Sequence, residues 1–92
     1  MGIGGMEKKA VELLEEGLDC VQDGRLQDAR DKFKASSFRS QTADAYTYWA
    51  WMEHHLGRTE FAIRLCLRAI EIDPDFGNPY NDIGSYLISL GN

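Results

Sequence analysis

The sequence predicts an all-α fold of antiparallel helix pairs, about five helices in all, and three observations carry the prediction. The first is a repeat: Gly17, Ala50 and Gly84 stand 33 and then 34 residues apart, Gly24, Gly57 and Gly91 keep the same two steps, and Leu13, Tyr46 and Tyr80 follow them. Self-similarity at a period of roughly 20–50 residues marks an architecture of stacked supersecondary units. The second is spacing. Val11, Leu14, Leu18 and Val21, and later Phe61, Leu65 and Ile72 with Ala62 and Ala69, recur at helical rather than strand intervals. The third is punctuation, with glycine, proline and capping residues falling between the periodic runs.

Each element follows in order. A first helix over 7–23 ends at Gly24, which suits a left-handed stop. A second, over 26–37, carries Ala29 and Phe33, which stand 33 residues before Ala62 and Cys66. The third, over 43–56, follows Thr42 as its cap and ends at Gly57. It contains YTYWAW, which reads locally as a strand, but β preference mostly reports packing environment and the repeat register outweighs it. The fourth, over 60–72, is capped by Thr59 and stops at Asp73-Pro74, since the residue before proline is biased away from the α region. The fifth, over 79–90, opens on Asn78-Pro79, a capping side chain before a first-turn proline. Gly17, Ala50 and Gly84 are expected where the two helices of a pair approach closely, with Ala29, Ala62 and Ala69 opposite. The domain layout is an N-terminal segment 1–9 and a repeat domain 10–92, divided as 10–42, 43–76 and a partial 77–92.

At 92 residues the chain is one small domain, and 43% hydrophobic with 27% charged residues points neither to disorder nor to a membrane span. A net charge of -5 disfavours nucleic acid, whose binding rests on clustered Lys and Arg. MGIGGMEKK holds no apolar stretch of signal-peptide length and no run is long enough to span a bilayer, so the expected address is cytoplasmic, with no membrane partner. Met6 stands where a myristoylation motif wants Ser or Thr, and Gly2, Gly4 and Gly5 make no phosphate loop, lacking a preceding strand and a following Gly-Lys-Ser/Thr. Cys20 and Cys66 are expected as reduced core residues, and without a Cys-x-x-Cys pair no zinc site is expected. No cofactor is implied.

These residues resemble the tetratricopeptide repeat family. The second unit carries its pattern through Tyr46, Trp49, Ala50, Gly57, Ala62, Ala69 and Ile72-Asp73-Pro74. The first matches at Leu13, Gly17, Gly24, Ala29 and Phe33, with Glu16 in place of a large apolar residue and no closing proline; the third matches at Tyr80, Ile83, Gly84, Leu87 and Gly91. The resemblance implies a right-handed superhelical array whose first helices line a concave groove, and binding of a peptide or protein segment there without chemistry.

Thr47, Trp51 and His55 share one helical face at i, i+4 and i+8, apart from the face of Tyr46, Trp49 and Ala50. By the family pattern the first of these faces looks into the groove, with Trp51 the expected anchor. Glu53, His54 and His55 are read as solvated or groove-lining polar residues. Adjacent histidines point about 100° apart and cannot chelate one ion. The positions matching a carboxylate clamp are Leu14, Leu18, Tyr48, Asn78 and Asp82, none basic, which disfavours clamp-type chaperone binding. The groove is then apolar at Leu14 and Leu18, aromatic in the middle and polar at Asn78, Asn81 and Ser85. Glu60 with Arg64, and Arg68 with Glu71, are read as weak pairs on a solvated face.

The third unit stops at Gly91-Asn92, where the others turn into a second helix, and Tyr86, Leu87, Ile88 and Leu90 leave apolar surface there. Two expectations follow: a fragment of a longer array, or a homo-dimer pairing through helix 79–90. The leading function is a non-enzymatic interaction module, and the alternative is a structural or self-association module.

Overall fold

Five helices follow one another in the chain: α1 (Gly2–Gln22), α2 (Leu26–Arg39), α3 (Ala43–His55), α4 (Thr59–Ile72) and α5 (Asn78–Gly91). The structure, a computed structural model, describes residues 2–91, with side chains from Glu7 onward. Met1 and Asn92, the extremes of the 1–9 segment and of the 77–92 partial repeat, lie outside the described residues, as do the side chains of Gly2 to Met6. The backbone of residues 2–9 continues α1 instead of preceding it. α2 runs past 37 because no breaker intervenes before Ser40, where the chain turns extended at φ -151° and ψ 117°.

The two full units close their first helices identically. Gly24 adopts φ +75° and Gly57 φ +92°, the left-handed region that glycine enters without a Cβ penalty. The following amides reach back five residues, Arg25 N–H to the Cys20 carbonyl at 2.9 Å and Arg58 N–H to Glu53 at 2.8 Å. These are Schellman closures that satisfy carbonyls the helix end leaves orphaned. Thr42 caps α3 as expected, its Oγ1 accepting from Ala45 N–H at 3.3 Å. Thr59 does not cap α4: it is that helix's first residue, Arg58 occupies the cap position without a side-chain capping bond, and Thr59 Oγ1 lies 3.0 Å from His54 Nδ1. Tyr80 secures the α4–α5 turn by donating its hydroxyl proton to the Pro74 carbonyl.

α1 packs on α2 and α3 on α4, while α2 also meets α3 and α4 meets α5, so the pairs stack in chain order into a body of 48 × 31 × 16 Å. The core runs along that stack through Phe33, Trp49, Met52, Leu65 and Cys66, with Ala29, Ala50, Ala62 and Ala69 fully buried where helices meet. Gly17 is the tightest approach. A Cβ there would collide with Cε1 of the buried Phe33 ring and stand 2.7 Å from its Cδ1. Gly84 departs from its register partners: nothing lies within 4 Å of where its Cβ would be, because no helix among the described residues covers that face. Glu16, at the position where a large apolar residue was expected, pairs with Lys32 across the first helix pair at 2.8 Å. Cys20 and Cys66 are buried and unpaired, and burial, helped by Asp82, pushes the Cys66 thiol up to about 12.

Candidate functional site

The expected groove residues lie on the first helices α1, α3 and α5, and their surroundings differ. On α1, Leu14 is half-buried against the core and Leu18 is exposed. On α3, Trp51 is half-buried and His55 exposed. An aromatic file leads outward from the core: Phe33 stacks on Tyr48 at 5.2 Å, Tyr48 meets Trp51 at 6.5 Å, and Trp51 meets His55 edge-on at 5.8 Å. Asn78, Asn81 and Ser85 are exposed on α5.

Three expected surface residues are buried: Thr47, Tyr86 and Glu53. Thr47 is only 7% exposed and its Oγ1 donates to the Ala43 carbonyl at 2.7 Å, so the hydroxyl is satisfied within its own helix and offers nothing to a partner. Tyr86, expected among the self-association residues, is 4% exposed and stacks on His54 with ring centroids 4.4 Å apart. Among the described residues its hydroxyl has no partner, and burial raises its pKa well above the usual tyrosine value. Leu87, Ile88 and Leu90 are about half or more exposed. His54, read as solvated, is half-buried between Tyr86 and Thr59, and burial with His55 alongside holds its pKa below the ordinary value.

Glu53, also read as a solvated or groove residue, is 3% exposed and joins three elements. Its Oε2 accepts from Trp49 Nε1 at 2.9 Å and lies 3.5 Å from Arg30 of α2; its Oε1 accepts from Arg58 at 2.8 Å. Burial alone would raise its pKa, but these bonds and the two guanidinium charges outweigh it and hold the carboxyl below its usual range. Arg64 turns its guanidinium over the Phe61 ring at 5.7 Å rather than pairing with Glu60, whereas Arg68 does meet Glu71 at 3.4 Å.

Two surface clefts adjoin at the α2–α3 turn. One, of about 240 Å³, lies between α1 and the start of α3, lined by Glu7, Ala10, Val11, Leu14, Ser40, Thr42 and Asp44. The other, of about 350 Å³, joins that turn to the end of α4 through Gln41, Ala43, Ile72, Asp73 and Phe76, and shares Thr42 and Asp44 with the first. Of the expected groove residues only Leu14 takes part. Val11 and Asp44 could have been found by extending the Leu14 and Tyr48 faces one turn toward the helix starts, and Glu7 by extending the first of them two turns. Among the described residues no group of three or more His, Cys, Asp and Glu is placed to hold a metal ion, and no helix is long and apolar enough to cross a membrane.

No family model matches the sequence, and no curated protein matches it either. Among solved structures, the first TPR (tetratricopeptide repeat) of Spaghetti (RPAP3), bound to the HSP90 peptide SRMEEVD, superposes with a TM-score of 0.88 at 20% identity, over 92% of this chain and 70% of that one. The second TPR of the same protein, bound to the same peptide, superposes at 0.86 with 17% identity, over 92% of this chain and 80% of that one. The chain has the tetratricopeptide repeat fold. At these identities the likeness is one of architecture: two tetratricopeptide helix pairs and the first helix of a third. In that frame α1, α3 and α5 are the first helices, and Glu53 is a buried anion within the second unit.

Proposed function

We propose that this chain is a non-enzymatic interaction module that receives a peptide or extended protein segment along the face carried by α1, α3 and α5. The observation that carries the reading is Trp51: the aromatic file fixes its ring without burying it, close to the geometry of an interface anchor. Support comes from the two similar domains, each bound to a peptide. The positions that the family pattern matches to a carboxylate clamp, Leu14, Leu18, Tyr48, Asn78 and Asp82, carry no cation, which favours a ligand of another kind than theirs. Two unpaired buried cysteines favour a cytoplasmic address. The test is a peptide array probed with the wild type and with Trp51→Ala: the expected result is a set of bound peptides lost by the variant at unchanged melting temperature, and retention of all of them refutes the reading.

A second reading is favoured by Leu87, Ile88 and Leu90 on α5 and by the open face at Gly84, which together leave an apolar surface that a second copy or a further repeat would cover. Light scattering across a wide concentration range tests the pairing. A dimer that Leu87→Arg dissociates supports it, and a monomer at all concentrations refutes it.

A further inference from the structure

We infer that the two adjoining clefts at the α2–α3 turn receive an extended partner segment in which Lys or Arg alternates with apolar residues. This rests on the reading of the chain as a peptide-binding module and names the class of its partner. Each cleft is lined by apolar side chains together with carboxylates: Val11 and Leu14 with Glu7 and Asp44 in the first, Ile72 and Phe76 with Asp44 and Asp73 in the second. Asp44 belongs to both, so the charge pattern continues across the turn.

Among the described residues neither cleft is lined by a Lys or Arg. Arg68, which reaches Gln41 of the second cleft, is committed to it at 2.7 Å and to Glu71. Asp73 uses one oxygen for the Asp75 amide, whereas Asp44 and Glu7 make no ion pair among the described residues. An acidic segment would therefore meet only like charge along this path. A segment with cations would find counter-charge in both clefts, with its apolar side chains against Val11, Leu14, Ile72 and Phe76. Cleft volumes of about 240 and 350 Å³, below and just above the lower end for small-molecule sites of roughly 300–1,000 Å³, suit individual side chains of such a segment. The chain's net charge of -5 adds attraction at long range.

The test is fluorescence anisotropy with three labelled probe peptides of equal length in which Leu alternates with Arg, with Gln or with Glu. The wild type is expected to bind the Arg probe about tenfold more tightly than the Gln probe and the Glu probe least, with the gap closing as salt is added. Asp44→Asn is expected to reduce the Arg preference about threefold to fivefold, while Glu12→Gln, the same charge change outside both clefts, leaves it intact. Equal binding of the Arg and Glu probes, or an Arg preference that Asp44→Asn and Glu12→Gln alter alike, overturns the assignment. If the Gln probe is still bound in that case and released by Trp51→Ala, the broader peptide-binding reading survives. Binding of none of the three overturns the assignment, and the peptide array with Trp51→Ala then decides the broader reading separately.

Discussion

Replacing Glu53 with Gln tests how much of the fold hangs on one buried carboxylate. Gln keeps the shape but retains a single acceptor oxygen, so it cannot serve both the Trp49 indole and the Arg58 guanidinium, which now occupy opposite oxygens. The less costly orientation keeps the Trp49 bond, because the Arg58 side chain is 55% exposed and can turn to water, whereas the buried indole N–H cannot. A lost charge-assisted bond is worth about 1.5–3 kcal/mol, discounted here for that exposure, and Arg30 at 3.5 Å adds a smaller part. The expected loss is about 2 kcal/mol, or roughly 8–16 °C in melting temperature for a domain of this size. Glu53→Ala, which orphans the indole as well, is expected to cost about 3–5 kcal/mol. The pH dependence has a definite sign. Glu53 is held below its ordinary value of 4.5, so its contribution is complete above that value and fades as pH falls through the lower folded one. Urea melts followed by circular dichroism should therefore show the wild type and Glu53→Gln separated at neutral pH and converging below about pH 4.5. A gap under about 0.5 kcal/mol at neutral pH, or one unchanged into acid, would refute the reasoning.

Two glycines in the same register should respond oppositely: Gly17→Ala is expected to destabilise despite better helix propensity, because the Phe33 ring has nowhere to go, while Gly84→Ala should stabilise by about 0.5–1 kcal/mol; thermal melts decide both. Thr42→Ala should cost about 1 kcal/mol by removing the α3 cap, again read from melting. Cys66, buried and with its thiol pushed up to about 12, should resist alkylation in the native state at neutral pH and react once urea unfolds the chain, as mass spectrometry would show.

What could be read from the sequence was set by backbone demand and periodicity. Gly24 and Gly57 announce their turns because few other residues enter the left-handed region, and the 33-to-34-residue step locates every helix. The misread residues depend on partners distant in the chain. Glu53 has a solvated appearance until Arg30 from α2 and Arg58 from the next turn come to meet it. Thr47 shares a face with Trp51 yet sinks inward, since a hydroxyl that bonds its own helix can be buried at little cost. Which of Tyr86, Leu87 and Ile88 turns inward depends on where α4 lies, something a run of apolar residues does not encode. The clefts were missed for a related reason: their walls come from the ends of helices far apart in sequence.

The way α5 is held has a consequence for the order in which the molecule comes apart. Pro79 and Tyr86 are its buried residues, and the Tyr86 hydroxyl finds no hydrogen-bond partner there among the described residues. Burying one large side chain contributes about 1.5–3 kcal/mol, of which an unsatisfied hydroxyl removes a good part. α5 is therefore the natural first foldon to open, peeling away while α1–α4 keep their interlocked core. Its amide protons should exchange by this sub-global route, ahead of those in α3, which the Glu53 network ties to its neighbours on both sides.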